Sequence, residues 1–555
     1  MSWRKMQKAA SLVLIILLFL STSHVVLGSD YNDVAVSEAK NMVDNWDPLV
    51  ILDVRGQSEY NTGHIKNAKL IPHDQLEGRL DELNPSNRIL VYCKLGGRSA
   101  IASQILADNG FPFIYNMLGG ITAWINAGYP AYVLFPSIQE AINDAGEGET
   151  LYVSSGVYYE HISLNKMLSL KGENIETAII DGENTGVGVA ITANNSELEG
   201  FTIQSTEDYK ITIIDCRDVQ VKANNLIGGY GILVEDSTNV SIEENRLVNC
   251  SSNGISFRSS TNSRLLSNMV IGSAIGHPSP LGEGCAISLK NSSMNLVDDN
   301  SILDNDHAIS LDNAENNIIS HNTISDAIFE DIYSLSGIVL SNSSNNNTII
   351  NNEVSEMALQ GIILNATDNN SLVRNLIFNN GEHGLWLQWS NGNIIKGNLI
   401  ENNGHEAINL HDSNSNRIFH NSFINNNGQI VLTGSPSNIW DDDYPSGGNY
   451  WSNYNGSDLY CGIYQNETGS DNIGDTPYFL DGYNKDNYPL MTPERLPWDV
   501  TDDGYVGIDD IILVAEHFGD APSHPDWNPK YDLNKDDYVG IDDIVLVAVH
   551  FGESA

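Results

Sequence analysis

An asparagine returns along the middle of this chain at near-constant intervals. Asn245, Asn268, Asn300, Asn322, Asn352, Asn375, Asn398 and Asn421 each stand two residues before a Leu, Val, Ile or Phe, at spacings of 23, 32, 22, 30, 23, 23 and 23 residues. A repeat in the low twenties is too short for a pair of helices and matches one coil of a parallel β-solenoid. Each coil carries a second pattern, a small residue followed by alternating apolar positions: Gly254-Ile-Ser-Phe257, Ala308-Ile-Ser-Leu311, Gly361-Ile-Ile-Leu364, Gly384-Leu-Trp-Leu387 and Ala407-Ile-Asn-Leu410. Alternation with period two places Ile309 and Leu311 inside and Ser310 in water. The repeated Asn is expected at a corner, tolerating left-handed backbone and hydrogen-bonding to its copies in neighbouring coils.

The 555 residues leave room for several domains. A formal net charge of −45 argues against nucleic acid or an anionic membrane as the main partner. Arg4, Lys5 and Lys8 precede an apolar run from Leu12 to Leu20, and small residues offer a cleavage point near Ser29. Residues 1–29 read as a secretory signal peptide, so the mature protein is expected to be secreted or at the cell surface, with no stable membrane span. Five cysteines, with no metal-type pairing, leave a disulfide among the last four open.

Residues 30–132 alternate strand and helix patterns. Val50–Asp53 and Ile89–Tyr92 read as buried strands, the second running into Cys93-Lys94-Leu-Gly-Gly-Arg98-Ser99 and then a helix from Ser99 to Asp108. A strand, a glycine-rich loop and a helix N-terminus make a cup of backbone N–H groups, in which a cysteine thiol acidifies. Lys94 and Arg98 add charge for an anionic substrate. Asp53-Val-Arg55, Glu59-Tyr60, Gly63-His64-Ile65, Asn67-Ala68, Ile71-Pro72 and the Cys loop together resemble the rhodanese family. The resemblance implies an α/β sulfurtransferase domain with a persulfide on Cys93. Four residues separate Cys93 from Arg98, where related phosphatase loops hold five, which favours sulfur over phosphate. Asp53 and Arg55 are expected as an ion pair beside the loop, with Arg55 also able to face the substrate. His64 is expected to hydrogen-bond at a turn and not to act as a base.

Residues 133–491 hold the solenoid. A short helix at Ser137–Ala145 and the strands that follow resemble the N-terminal cap of right-handed, pectin-lyase-like β-helices. Trp440-Asp-Asp-Asp, Gly447-Gly-Asn-Tyr-Trp451, Gly474-Asp-Thr-Pro-Tyr478 and Tyr488-Pro-Leu-Met491 resemble the end of the NosD family, which is tied to copper-site assembly. No Cys, Met or His cluster of copper-ligand type is legible in the spacing. One coil position is filled in turn by Asn253, Cys285, His307, Ser336, Gln360, His383 and Glu406, with Asp306, Glu382 and His405 as predecessors. Trp386 and Trp389 are expected to face outward beside them. Asp306, His307, Glu382, His383, Trp386, His405 and Glu406 are therefore candidates for a polysaccharide or cell-surface glycan, by proton transfer and stacking. Insertions at Ser273–Gly284 and Asp326–Ser336 would wall a groove on that face.

After a linker at 492–498, residues 499–555 contain two matching loops. Asp499, Thr501, Asp503, Tyr505 (backbone carbonyl) and Asp510 form one ligand set; Asp532, Asn534, Asp536, Tyr538 (backbone carbonyl) and Asp543 form the other. Oxygen donors at positions one, three, five, seven and twelve suit Ca2+. The pair resembles a type I dockerin, a small α-helical module that implies two Ca2+ sites and a cohesin-like partner; no organic cofactor is indicated. Thr501 replaces the usual Asn, Asp537 the turn Gly, and position nine is Gly507 or Gly540. Three readings follow: an exported binding and assembly protein with a sulfurtransferase domain, a carbohydrate-active lyase or epimerase, and a metal-site accessory of NosD type.

Overall fold

A computed structural model describes residues 31–272, 284–305, 307–325, 336–493, 498–501, 506–522, 524, 527–528, 531–534 and 538–552. The expected signal peptide, Asp306, Asp503, Tyr505, Asp536 and Asp537 lie outside the described residues. So do the two insertions, apart from Gly284 and Ser336.

The chain divides into two units. The first runs to Pro136 and takes in Tyr152–Gly156 and Gly172–Asn174. Its sheet holds β1 (Asn32–Val34), β2 (Leu49–Asp53), β3 (Lys69–Leu70), β4 (Arg88–Tyr92) and β5 (Ile114–Met117) in the order β1-β5-β4-β2-β3, every pair parallel. Helices α1 (Val36–Asn45), α2 (Gln57–Asn61), α3 (Gly97–Asp108) and α4 (Gly120–Asn126) accompany it. Parallel strands need both faces covered, and the apolar residues oblige. Leu52, Ile89, Val91 and Leu106 fill one core, and Ile51, Leu90, Met117 and Trp124 the other. Helix α3 begins two residues earlier than the sequence pattern suggests, because left-handed Gly96 (φ 102°) turns the chain directly into it.

The second unit holds parallel sheets of 13, 12 and 12 strands, one per face of a three-sided coil. The residues two after each repeated Asn stack in register: Leu247, Val270, Ile302, Ile324, Val354, Ile377, Ile400 and Phe423. All eight are essentially inaccessible. The Asn side chains form a continuous buried ladder. The Asn245 backbone N–H donates to Asn268 Oδ1 at 3.0 Å, and the pattern repeats coil by coil until Asn421 donates to Asn449 Oδ1. Left-handed backbone falls one residue earlier than expected, on Glu244, Ser267, Asp299, His321, Asn351, Arg374, Gly397 and His420. The turn residue swings the chain around, and the Asn that follows must aim its amide inward to reach two coils at once. A second ladder, Asn295, Asn317, Asn347, Asn370, Asn393, Asn416 and Asn438, runs along another corner.

The inward assignment of Ile309 and Leu311 holds, at 0 % exposure each. Ser310 does not stand in water, being only 5 % exposed. It sits in register between Ser288 and Val339 on the outer row, where a short side chain lies below the tops of its neighbours. At the far end, Trp451 stacks on Phe423 at 4.5 Å and on Tyr478 at 4.6 Å. Asp486 accepts from Asn449 N, Trp451 Nε1 and Tyr488 N, so the cap meets the last open rung. Stacked coils need such closure because a bare coil end exposes strand edges. Two short helices, Ile508–Glu516 and Ile541–Val549, follow near the C-terminus. Among the described residues no helix is long and apolar enough to cross a membrane, and no disulfide is formed.

Candidate functional site

Strand β4 delivers Cys93 to the mouth of a loop that closes into α3. The sulfur is buried, and Gly96 N donates to Sγ at 3.1 Å. Burial alone raises the Cys93 thiol. The Ser99 hydroxyl and the N–H groups of Ser99, Gly96 and Leu95 more than offset it, and the thiol ends below its ordinary value. Ser99 is itself inaccessible, and its one hydroxyl proton has two acceptors in reach, Gly96 O at 3.0 Å and the Cys93 sulfur. The start of α4 supports the loop from behind: Ile121 N donates to Cys93 O at 2.8 Å and Thr122 N to Lys94 O at 3.2 Å. That approach requires Gly120, where an added Cβ would lie 2.3 Å from Cys93 O.

The four other predicted residues of this loop divide by role. Arg55 and Asp53 are buried together, with Arg55 Nε 3.0 Å from both carboxylate oxygens and Nη2 2.6 Å from Oδ2. Arg55 Nη2 also donates to Gly63 O, tying the loop before β3. Arg98 turns to Glu59, its two terminal nitrogens each 2.7 Å from a carboxylate oxygen. The Arg98 guanidinium holds the Glu59 carboxyl down at about 2. In the sequence Glu59 stands only within the family pattern, and 39 residues separate it from Arg98, so the spacing does not signal their pairing. Lys94, the residue after Cys93 in the chain, is exposed. His64 hydrogen-bonds Tyr60 O and Glu173 and stacks on Tyr60 at 3.7 Å.

On the solenoid the predicted row does stack. Cys285, His307, Ser336 and Gln360 pair in register, and Gly361 N to His383 O and Gly384 N to Glu406 O continue the row. Glu382 accepts from Gln360 Nε2 at 2.5 Å. Trp386 is half-buried on the outer row, and Trp389 is exposed. Burial lowers His307, whose Nδ1 has no hydrogen-bond partner. His383, His405 and Glu406 gather, with one ligand atom from each lying within 4.8 Å of the others. No such cluster is legible in the spacing, because its members sit on neighbouring coils 22 and 23 residues apart. Several coils away on the same sheet, Glu235, Asn253, Ser256, Arg258, Ser288 and Lys290 line a cleft of about 300 Å³.

In the C-terminal loops the described ligand candidates behave alike. Asp510 and Asp543 are buried at the first turn of each helix and reach back into their loops. Asp510 accepts from Thr501 N and Gly507 N, and Asp543 from Leu533 N, Asn534 N and Gly540 N. Thr501 Oγ1 lies 3.2 Å from Asp499 Oδ1, Asp532 is buried, and Tyr538 is exposed.

Residues 35–127 match the rhodanese-like domain family. Over 94 residues the chain is 33 % identical to the thiosulfate sulfurtransferase GlpE of Coxiella burnetii, spanning 17 % of this chain and 87 % of that protein. It is 33 % identical over 96 residues to the putative sulfur carrier protein YrkF of Bacillus subtilis, covering 17 % of this chain and about half, 52 %, of that protein. Among solved structures, a rhodanese-related protein of Thermoplasma volcanium matches at 29 % identity and TM-score 0.17, over 19 % of this chain and 99 % of that one. The A-module of the Azotobacter vinelandii mannuronan C-5 epimerase AlgE4 matches at 14 % identity and TM-score 0.41, over 54 % and 92 %. Residues 142–326 and 319–456 match the family described as periplasmic copper-binding protein (NosD), so this chain belongs to the NosD family and carries a rhodanese-like domain in front of its solenoid.

Proposed function

We propose that this is an exported assembly protein whose first domain moves sulfane sulfur through Cys93. One observation carries the reading: the buried Cys93 sulfur, at the mouth of a strand–loop–helix turn, accepts from Gly96 N at 3.1 Å, and the nearby donors of Leu95 and Ser99 help to pull its thiol below the ordinary value. The thiolate attacks the outer sulfur of thiosulfate. A new S–S bond forms at Cys93, the thiosulfate S–S bond breaks, and sulfite departs with the electron pair. A nucleophile such as cyanide then takes the outer sulfur and returns the thiolate to the cup. The ring of donors stabilises negative charge on sulfur at each stage. Lys94 supplies the accessible positive charge for the incoming anion. Arg98, occupied by Glu59, fixes the loop against α2.

The test uses the full chain with thiosulfate and cyanide. The reading requires thiocyanate release and a mass gain of one sulfur atom on the Cys93 peptide, both absent in Cys93→Ser. A wild-type chain that gains no sulfur on Cys93 refutes it.

The C-terminal module is proposed to bind two Ca2+ ions and dock on a cohesin-like partner. The repeated reach of Asp510 and Asp543 into their loops supports this, since a twelfth-position carboxylate must close each oxygen shell. A second reading, a glycan chain lying along the outer solenoid row, is favoured by the cleft. There Arg258 and Lys290 stand in register on neighbouring coils of a strongly acidic chain, which suits an acidic sugar. A glycan array on wild type and Arg258→Ala separates this reading from the first. Lyase or epimerase chemistry would add product formation from any chain that binds.

A further inference from the structure

We infer that His383, His405 and Glu406 form a binding site for one divalent transition-metal ion of the zinc and copper(II) class on the outer row of the solenoid. The inference is independent of the sulfur chemistry at Cys93. Among the described residues this is the one group of three or more His, Cys, Asp or Glu side chains whose ligand atoms converge.

The geometry is part-way to a coordination shell. Bonds of about 2.0–2.2 Å to nitrogen and oxygen place the ligand atoms of a tetrahedral site roughly 3.3 Å apart. His383 Nδ1 and Glu406 Oε2 are already 3.1 Å apart. His405 is exposed and stands edge-on to His383 with ring centroids at 5.5 Å, so a side-chain rotation brings its nitrogen in. Apart from that charged contact with Glu406, His383 Nδ1 has no hydrogen-bond partner, although its side chain is only 13 % exposed. Buried polar atoms without partners are uncommon in folded proteins and mark an unfilled role.

The surroundings favour a metal over a simple ion pair. Asn409 Nδ2 lies 3.2 Å from His383 Nε2. Ligation through Nδ1 turns this amide over, so that Asn409 Oδ1 accepts from Nε2–H and fixes the ring in the usual outer-shell arrangement for a ligating histidine. Glu382, the nearest further carboxylate in sequence, is engaged by Gln360. Two imidazoles and one carboxylate suit zinc or copper(II), whereas Ca2+ and Mg2+ prefer all-oxygen shells. Three protein ligands leave a fourth position open to solvent or a second molecule.

The experiment uses the full chain with Cys93→Ser and excess calcium, so that neither the thiol nor the C-terminal loops compete. Calorimetry with ZnCl2 is expected to show one saturable site per chain. His405→Ala and Glu406→Gln are each expected to weaken it at least about tenfold, and Asn409→Ala about tenfold with stoichiometry retained. Loaded with copper(II) instead, the protein should show pulsed-EPR couplings from two imidazoles, falling to one in His405→Ala. Circular dichroism confirms that each variant keeps its sheets. No saturable zinc binding in the parent overturns the proposal. Unchanged binding in the His383→Asn, His405→Ala double variant overturns it too.

Discussion

Asn375 sits in the middle of the ladder at 0 % exposure, and replacing it with alanine tests what the repeat is for. Its Oδ1 accepts from Asn352 N and Asn352 Nδ2, both at 3.0 Å, and its Nδ2 donates to Ile349 O and Asn398 Oδ1, both at 2.9 Å. Alanine removes all four bonds and leaves the Asn352 N–H buried with no acceptor. At about 0.5–1.5 kcal/mol per net hydrogen bond, the loss is about 2–6 kcal/mol. Coils contact only their neighbours, so the damage stays local and a global melting temperature averages it away. Native-state hydrogen exchange reads it directly. Protection of the Asn352 amide should fall by roughly 30-fold to 20,000-fold, since each 1.4 kcal/mol is a factor of ten. Asn427 is the control: it is exposed and makes one side-chain bond, to Gly404 O. If Asn375→Ala deprotects Asn352 no more than Asn427→Ala deprotects its own neighbours, the ladder is not a stabilising element and the reasoning fails.

Gly120→Ala forces a Cβ to within 2.3 Å of Cys93 O at a φ of +57°, so the loop must shift; a displacement of about 1 Å lowers the sulfurtransferase kcat/KM on the order of 100-fold, with an unchanged circular dichroism spectrum. In the first unit burial raises Glu173, but His64 and the N–H groups of Ser155 and Asn67 pull it down to about 2. Its stabilisation is therefore complete above the unfolded value of 4.5 and is lost as pH falls toward 2, so urea midpoints should drop across that window and do so less in Glu173→Gln. For the C-terminal module, calorimetry should count two calcium ions per chain, reduced to one by Asp510→Ala, and chelator should loosen both helices.

The sequence alone determined the repeat, its period and which residues point inward. Burying an apolar row in every coil leaves a mark at fixed spacing, and Leu247 through Phe423 carry it. It also determined the cup around Cys93, because strand, glycine loop and helix are consecutive in the chain. The ladder's contribution was legible, but its geometry was not. Left-handed backbone fell on the varied residue before each Asn, where no single residue type is required. Ser310 was misplaced because alternation reports direction and not how far a short side chain sinks among its neighbours. Arg98 found Glu59 across 39 residues, a partner no local pattern assigns. His383, His405 and Glu406 met for the same reason: solenoid register brings residues about one coil apart to within bonding distance. A row of mixed polar residues gives no hint which members converge, since that depends on side-chain rotamers and on what each neighbour leaves unfilled.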